Sequence, residues 1–340
     1  MHEELAIDDF LTRARKVPVL DVRTPAEFAA GHLPGAVNLP LFSDAERAEV
    51  GTAYVRQDRQ TAVRIGLARV APKMTALADR LLEVAAPTGG ELLIHCWRGG
   101  MRSGSLAWLA GTLGCRAATL CGGYRAFRRK VLESFDLQRD VRVLAGLTGT
   151  GKTAVLRALM EQGESVVDLE ALAAHKGSTF GDLGESPQPR QEQFENELAT
   201  AWLNLDPERS VWLEDESRMI GKRVMPQGIW DQKRNGRFVV IELSEPARIA
   251  NLSEVYGNFP LELLEPRIEE IRRRLGGERA NQALAALRAG DPATACALLL
   301  TYYDHTYGKA LAAIPADRVS IHRFEHSDPA AIADELRCLV

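Results

Sequence analysis

The sequence predicts an α/β fold in two domains. The chain has 340 residues, about twice the common length of a domain. Short apolar runs bounded by turn residues alternate with segments of helical periodicity, and no internal repeat relates the two halves. Such alternation is typical of parallel sheets that are covered by helices on both faces.

Strands and helices of the first half follow from local patterns. Thr24 is predicted to cap a helix that begins at Pro25, with Glu27 in the capping-box position. A Pro-Gly turn at 34–35 follows, and a second helix is predicted over Ser103–Leu113. Buried strands are predicted at 17–23 and 91–96, a short strand at 36–39, and a further strand with a Gly-Gly turn at 115–124.

The second half is predicted to be a separate α/β unit with helical additions. A charged helical pattern at 126–140 leads into it, so we predict domains at 1–130 and 141–340 with a connector at 131–140. Apolar runs predict strands at 141–145, 165–169, 210–217, 237–244 and 318–324. Helical patterns cover 263–275, 281–289 and 293–312.

Composition excludes several classes of protein. Hydrophobic residues make up 46% and charged residues 26%, which argues against intrinsic disorder. No apolar run reaches the roughly 18 residues that span a bilayer, and the acidic start lacks the pattern of a signal peptide, so we expect a cytoplasmic protein that does not enter a membrane. Five cysteines without a CxxC pair argue against disulfides and a zinc ribbon. A net charge of −4 argues against a wholly basic nucleic-acid binder but permits a local basic patch.

The first chemical site is predicted at Cys96, which ends an apolar run and begins a glycine-containing loop. Arg98 and Arg102 flank the two glycines. Loop amides and a helix N-terminus favour negative charge, and neighbouring arginines add to this effect. The pKa of the thiol is therefore expected to fall from about 8.5 toward roughly 3.5–7.5. We predict a reactive thiolate at Cys96 and structural roles for the other four cysteines.

This loop suits two reactions. A phosphatase would clamp a phosphate with Arg102, whereas a sulfurtransferase would carry a persulfide on Cys96. No aspartate lies between Cys96 and Leu132 to serve as a phosphatase general acid, which leaves only remote candidates such as Asp44 or Asp58.

The second chemical site is a P-loop at 146–153, which has the pattern G-x-x-x-x-G-K-[ST] between a strand and a helix. The glycines that let backbone amides approach phosphate are Gly146, Gly149 and Gly151. Lys152 is predicted to neutralise the terminal phosphate, and the hydroxyl of Thr153 to ligate Mg²⁺.

A second acidic strand end is expected to hold or orient the metal. The acids at 214–216 are the best candidates, and Asp215 is predicted as the ligand, although alternation does not separate it from Glu216. Asp168 and Glu170 follow the preceding strand and are predicted to be structural.

Basic residues predict an RNA-binding groove. The segment just before the connector carries Arg125, Arg128, Arg129 and Lys130. Further clusters lie at 218–223, 233–237 and 272–274, and Trp212, Trp230 and Tyr256 are candidates for stacking bases, or else for the core. Each cluster alone is equally compatible with a solvated face.

Longer motifs carry a family resemblance. Asp21-Val22-Arg23, Glu27-Phe28 and the run 31–36 (GHLPGA) resemble the rhodanese domain over about residues 4–130. Together with a P-loop domain, nearly the whole chain resembles the tRNA 2-selenouridine synthase family. The strings that carry this are DVRTPAEFAAGHLPGAVNLPLFSDAERAEVGTAY, HCWRGGMRSGSLAWL, CGGYRAFRR, GLTGTGKT, DLEALAAHKGSTFG and VWLEDESRMIG.

This resemblance implies a reaction. Members replace sulfur by selenium at the wobble 2-thiouridine of tRNA, with selenophosphate as the selenium donor, and pass through an S-geranylated intermediate made from geranyl diphosphate. It implies that Cys96 is catalytic, that Arg98 and Arg102 hold the anionic donor, and that the P-loop binds the diphosphate with Mg²⁺. It also implies tRNA and a selenophosphate-supplying enzyme as partners. His95 stands where many relatives carry tyrosine.

Two other classes remain open at this point. One is a phosphatase dependent on Cys96 that is fused to a P-loop ATPase or kinase. The other is a non-enzymatic module that binds tRNA or senses persulfides.

Overall fold

A computed structural model describes residues 2–339. The chain divides into two units, residues 1–134 with 195–200, and residues 135–194 with 201–340. Each unit contains a five-stranded sheet in which all strand pairs are parallel. The α/β class predicted from the alternation of apolar runs and helices is therefore confirmed.

In the first unit the sheet has the order β1-β5-β4-β2-β3. Its strands are β1 (Glu3–Leu5), β2 (Val19–Asp21), β3 (Val37–Asn38), β4 (Glu91–His95) and β5 (Arg116–Leu120). Its helices are α1 (Ile7–Ala14), α2 (Pro25–Ala30), α3 (Asp44–Arg56), α4 (Arg59–Val70), α5 (Met74–Ala85), α6 (Met101–Thr112) and α7 (Gly123–Ser134).

In the second unit the sheet has the order β12-β11-β6-β8-β7, and a small antiparallel hairpin pairs β9 with β10. The strands are β6 (Val141–Ala145), β7 (Ser165–Val167), β8 (Val211–Glu214), β9 (Met219–Ile220), β10 (Arg223–Val224), β11 (Arg237–Glu242) and β12 (Val319–Arg323). The helices are α8 (Lys152–Glu161), α9 (Leu169–Ala173), α10 (Gln191–Asn204), α11 (Gln227–Asn235), α12 (Glu245–Tyr256), α13 (Leu261–Leu275), α14 (Gly277–Arg288), α15 (Pro292–Ala312) and α16 (Pro329–Leu339).

The strands form because their apolar runs bury both faces. In β4 the four residues from Leu92 to His95 are buried, and all four residues of β8 are buried. Continuous burial of this kind is expected of parallel strands covered by helices. Leu20, Ile94 and Leu81 belong to the core of the first unit.

Two cores stabilise the second unit. One lies on the sheet and joins Leu144, Ile241 and Leu156 with apolar residues of α16. The other packs α13 and α14 with partly buried side chains of α15, around Ile268 and Ile271. The helical additions therefore have an apolar core of their own.

Local signals set the helix starts that the sequence predicted. Thr24 accepts a hydrogen bond from the amide of Glu27, whose carboxylate accepts from the amide of Thr24, so the predicted capping box is confirmed. Ser43 and Glu46 form a second capping box at the start of α3. Such boxes satisfy amides that the first turn of a helix leaves without partners.

The predicted connector divides into two parts. Residues 131–134 form the last turn of α7, and residues 135–140 lead into β6. The unit boundary falls between 134 and 135, and residues 195–200 of α10 belong to the first unit although they lie within the predicted second domain. Among residues 2–339, none of the helices combines the length and the apolar composition that crossing a bilayer requires.

Candidate active sites

Cys96 directly follows β4, which lies at the centre of the first sheet. Its side chain is buried, with 3% exposure. The Sγ atom lies 3.3 Å from the hydroxyl of Ser103 and accepts a hydrogen bond from the amide of Gly100 at 3.3 Å. The loop and the first turn of α6 therefore direct donors at the sulfur, as the sequence predicted.

The pKa of the Cys96 thiol is lowered from its ordinary value. Burial acts to raise this pKa, but hydrogen bonds from the hydroxyl of Ser103 and the amides of Gly100, Ser103 and Arg98 outweigh burial. Hydrogen bonds to the charged form favour ionisation. The loop thus supports a thiolate mainly through neutral donors.

A second glycine turn holds the cysteine loop in place. The amide of Tyr124 donates to the carbonyl of Cys96 at 2.8 Å, and the amide of Arg125 donates to the carbonyl of Trp97 at 3.1 Å. Gly123 has φ of +58°, and a Cβ there would lie 2.3 Å from the carbonyl oxygen of Cys96. The Gly-Gly turn before α7 is therefore required for the two segments to approach so closely.

The two predicted arginines have different surroundings. Arg102 forms an ion pair of 2.6 Å with Glu27. Burial acts to raise the pKa of Glu27, but hydrogen bonds from Arg102 and the amide of Thr24 lower it overall. Arg98 is exposed. The charge of Arg102 is thus neutralised locally, while its place at the start of α6 keeps it near the loop.

A buried ion pair supports the strand that lies beside β4. Arg23 is 1% exposed and donates to both carboxylate oxygens of Asp21 and to the carbonyl of Gly31. Its guanidinium lies 3.6 Å from the ring centroid of Tyr124. His95 is fully buried, and burial lowers its pKa, so its imidazole is neutral. The D-x-R motif thus serves the structure of this unit.

The P-loop connects β6 with α8 in the second unit. Gly149 has φ of +86°, and a Cβ there would lie 2.8 Å from the carbonyl oxygen of Arg248. Asn251 donates to the carbonyl of Gly149 at 2.9 Å, and Lys152 donates to the carbonyl of Gly146 at 2.9 Å. Gly151 precedes α8 with φ of +73°, and no side chain caps this helix start. The first amides of α8 remain available to an anion.

Three glutamates lie beside the P-loop, of which Glu214 is buried and Glu170 and Glu216 are partly buried. The hydroxyl of Thr153 donates to Glu170 at 2.7 Å, and the amide of Glu170 donates to Glu214 at 3.0 Å. Glu170 and Glu216 share a side-chain hydrogen bond. Burial is the main cause that raises the pKa of Glu216 to about 8, and the charge of Glu170 is the second. The same two causes raise the pKa of Glu214 well above its ordinary value.

The acids near the P-loop differ from the expected arrangement. Glu170, predicted to be structural, is the carboxylate that contacts Thr153. Asp215, predicted as a metal ligand, pairs with Lys233 at 2.6 Å. Asp168 caps α9 through the amide of Ala171. Glu170, rather than Asp168 at the end of the preceding strand, contacts Thr153 because Glu170 lies in the first turn of α9, and this turn reaches the P-loop.

The donor set beside the P-loop fits Mg²⁺. Among residues 2–339, no group of three histidine, cysteine, aspartate or glutamate side chains is arranged to hold a metal ion by itself. Mg²⁺ commonly uses one or two carboxylates, with water and substrate phosphate completing its shell. The hydroxyl of Thr153 and the carboxylate of Glu170 meet this requirement.

Tyr307 of α15 joins the same site. Its hydroxyl donates to the backbone carbonyl of Asp215 at 2.6 Å, and Lys152 Nζ lies 5.0 Å from the centroid of its ring. Burial, followed by the charges of Asp215 and Glu216, raises the pKa of Tyr307 well above its ordinary value. The phenol therefore stays neutral and acts as a donor.

A cavity of about 1190 Å³ opens beside the P-loop within the second unit. Its polar end includes Lys152, Thr153 and Glu170. Helices α12 to α15 contribute a largely apolar wall to this cavity. This wall includes Leu252, Val255, Tyr256, Leu264, Leu287, Cys296, Leu299, Leu300, Tyr303 and Tyr307. An anion site and an apolar chamber thus share one cavity.

The predicted RNA-binding residues lie on α7. Arg125 and Arg129 are exposed. Arg128 pairs with Glu195 at 2.6 Å and also donates to Asn196, and Lys130 pairs with Asp8 at 2.7 Å. Arg129 lies 3.9 Å from Glu133. Of the other candidates, Trp212 is fully buried and packs in the core, whereas Trp230 and Tyr256 line the cavity.

Sequence reasoning missed several site residues. Ser103 was part of a predicted helix, and only its spacing from Cys96 could have suggested the contact with sulfur. Glu27 was identified as a capping residue, and its second contact depends on the tertiary fold. Tyr307 and Lys233 lie far from the motifs in sequence, so no local signal could have found them.

Comparisons with known proteins agree with this arrangement of two sites. Residues 139–326 match the tRNA 2-selenouridine synthase AAA domain, and residues 7–130 match the rhodanese-like domain. A tRNA 2-selenouridine synthase of Bdellovibrio bacteriovorus is 35% identical over 86% of this chain and 83% of its own length. Those of Bordetella bronchiseptica (37% identity, 85% and 87%) and Marinobacter nauticus (35%, 88% and 90%) are similar over comparable lengths. A cysteine loop of rhodanese type, a P-loop unit and these relatives together show that the chain belongs to the tRNA 2-selenouridine synthase family.

Proposed function

We propose that this chain replaces sulfur by selenium at the wobble 2-thiouridine of tRNA, with an S-geranylated intermediate. The observation that carries the proposal is the shared cavity of the second unit. A phosphate-binding loop lines one part of this cavity, and about ten apolar or aromatic side chains of α12 to α15 line another part. Geranyl diphosphate likewise has a charged end and an apolar end, because its diphosphate is joined to a branched hydrocarbon chain.

The P-loop would bind the diphosphate. Amides of the loop and of the start of α8 would donate to its oxygens, and Lys152 would neutralise part of its charge. Thr153 and Glu170, with Glu216 beside them, would hold Mg²⁺, which when bound offsets further negative charge on the leaving diphosphate. The wall formed by α12 to α15 would exclude water from the hydrocarbon chain.

The first reaction would be alkylation of the base. The thiocarbonyl sulfur forms a bond to C1 of the geranyl group, while the bond from C1 to the diphosphate oxygen breaks and its electron pair leaves with diphosphate. The proton on N3 of the base is released to solvent. Alkylation makes the sulfur a better leaving group, since it can then depart as geranylthiol.

The second reaction would depend on the first unit. Selenium from selenophosphate replaces the alkylated sulfur at C2, geranylthiol leaves with one proton, and the phosphoryl group passes to water. We assign to Cys96 the nucleophilic thiolate of this step, because its sulfur receives hydrogen bonds that favour ionisation. The sulfur of Cys96 forms a bond to C2 as the bond from C2 to the geranylated sulfur breaks, and selenium then forms its bond to C2 as the bond from C2 to Cys96 breaks and the thiolate is released. Arg98 and Arg102 lie close to Cys96 in the same loop and helix start, where they would favour the anionic donor.

Contacts with tRNA would come from exposed basic residues of α7. Arg125 and Arg129 are the best candidates because both are exposed, whereas Arg128 and Lys130 are less exposed and form closer ion pairs. Replacing Arg125 and Arg129 by alanine should flatten the dependence of log K on log salt by up to about 0.9 per lost phosphate contact. The charge-matched control replaces Arg69 of α4 and Arg80 of α5, two partly exposed side chains of the same unit, by alanine, and should leave this slope unchanged. An unchanged slope for the double variant would remove α7 from the RNA-binding surface.

Nucleoside mass spectrometry tests the two reactions separately. The purified chain is incubated with 2-thiouridine tRNA, geranyl diphosphate and selenophosphate. Lys152→Ala should abolish geranylation, whereas the control Lys222→Ala, an exposed lysine outside the cavity, should not. Normal geranylation by Lys152→Ala would contradict the role of the P-loop.

The variant of Cys96 should block the second reaction and leave the first reaction, geranylation, intact. Cys96→Ser should still form geranylated tRNA and accumulate it without 2-selenouridine, because serine is barely ionised at neutral pH. Cys338→Ser, which changes an exposed cysteine of α16, should behave as the unchanged chain. A normal yield of 2-selenouridine from Cys96→Ser would refute the catalytic role of this thiol.

A further inference from the structure

Tyr307 occupies the boundary between the polar and apolar ends of the cavity. The face of its ring lies 5.0 Å from the ammonium of Lys152, the group expected to meet the diphosphate. The same ring lines the cavity together with apolar residues of α15. An alkyl carbon bonded to the diphosphate would therefore lie next to this ring.

A stripe of apolar and aromatic residues along one face of α15 indicates how the hydrocarbon chain of the substrate would lie. Cys296, Leu300, Tyr303 and Tyr307 recur at helical spacing, and all four line the cavity. At about 1.5 Å per residue, this stripe runs for roughly 16 Å away from the phosphate end. An extended terpene chain placed along it would keep only its first carbons near Tyr307.

The ring of Tyr307 is held in position by its hydroxyl. The hydroxyl donates to the backbone carbonyl of Asp215 at 2.6 Å, and the carboxylate of Asp215 is itself fixed by the buried Lys233 at 2.6 Å. Two strong contacts thus fix the side chain before substrate arrives. This is the arrangement expected of a group that must face a reacting atom.

We propose that Tyr307 is a catalytic residue of alkyl transfer, and that its ring face stabilises the positive charge that develops on the allylic carbons. This inference rests on the proposed function. As the bond from C1 to oxygen breaks, its electron pair leaves with diphosphate, and positive charge spreads over C1 and C3 until the sulfur of the base supplies a new pair to C1. A desolvated cation over an aromatic face is stabilised by the negative face of the ring.

Fluorinated phenylalanines separate this role from simple packing. Phenylalanine and its mono-, di- and trifluoro forms are placed at position 307 of the full chain, and single-turnover geranylation is followed with geranyl diphosphate. Fluorine withdraws electron density from the ring face while its shape changes little. The logarithm of the rate should fall steadily along the series, by about tenfold to thirtyfold in total, while the Kd for geranyl diphosphate stays nearly constant.

The same series at Tyr303 is the matched control. Tyr303 lies one helical turn before Tyr307 on α15 and lines the same cavity. Its phenylalanine form therefore sets its own reference rate, and fluorination should then produce no trend, because this ring would contact the hydrocarbon chain away from C1. A flat series at position 307 in a chain that alkylates normally would overturn the role of Tyr307 and leave the proposed function standing. An unsubstituted chain that forms no geranylated tRNA would overturn both.

Discussion

Removal of one hydroxyl should change the ionisation of the Cys96 thiol by a measurable amount. The hydroxyl of Ser103 lies 3.3 Å from Cys96 Sγ and 3.1 Å from the carbonyl of Gly100. It has one proton, so it donates to only one of these acceptors at a time. When the thiol ionises, the sulfur becomes the stronger acceptor and the hydroxyl proton turns toward it.

The magnitude follows from this exchange of partners. A hydrogen bond to a charged group contributes about 1.5–3 kcal/mol, and a neutral one about 0.5–1.5 kcal/mol. The net gain on ionisation is the difference, roughly 1–1.5 kcal/mol, which corresponds to about one pKa unit. Ser103→Ala should therefore raise the pKa of Cys96 by about one unit. Bonds from the amides of Gly100, Ser103 and Arg98 remain and continue to act against burial.

Thiolate absorbance at 240 nm measures this pKa directly. From each titration we subtract that of the matching chain that also carries Cys96→Ser. The absorbance changes of the other four cysteines then cancel. Ser105→Ala is the control, because Ser105 lies on the same helix but donates to the carbonyl of Met101. A midpoint for Ser103→Ala that equals that of Ser105→Ala would refute the assignment of the hydroxyl as a donor to the thiolate.

Further variants test the supports of the two sites. Gly123→Ala should lower the free energy of unfolding by clearly more than the control Gly89→Ala. Gly89 also has a positive φ, but a Cβ there would meet open space, so this control should cost only about 1–2 kcal/mol. Equal losses in urea denaturation would show that the close approach of Gly123 to the cysteine loop is unimportant for stability. Asp21→Ala should cost about 3–5 kcal/mol, because it leaves the guanidinium of Arg23 buried without its partner, and a loss below about 1 kcal/mol would contradict this. Asn251→Ala removes a hydrogen bond worth about 1 kcal/mol from the P-loop; it should weaken binding of geranyl diphosphate several-fold in calorimetry, and unchanged affinity would show that the loop does not need this anchor.

Local patterns predicted those features whose cause is local. The capping box at Thr24 depends on residues three apart, and the P-loop depends on a strand, a glycine-rich run and a helix in direct succession. Both were therefore predictable. The helices α3 and α4 were not, because they contact each other through small buried residues, including Ala53, Ala62 and Gly66, and lack a broad apolar stripe.

Contacts that depend on tertiary approach were beyond sequence reasoning. The choice between Glu170 and Asp215 beside Thr153 depends on where α9 begins relative to α8, and periodicity does not encode that relation. Arg102 illustrates the same limit. Its position after a cysteine loop indicated an anion clamp, whereas its partner Glu27 comes from a helix 75 residues earlier in the chain.

The orientation of peptide groups around Cys96 has a consequence for chemical selectivity. Carbonyls of Cys96 and Trp97 are occupied by amides at the start of α7, while the amide of Gly100 faces the sulfur. Across the described part of the chain, no group of three histidine, cysteine, aspartate or glutamate side chains is placed to complete the shell of a thiophilic cation such as Zn²⁺ around this thiolate. The fold thereby shields a strongly nucleophilic sulfur from capture by thiophilic ions, while leaving it reactive toward anionic donors.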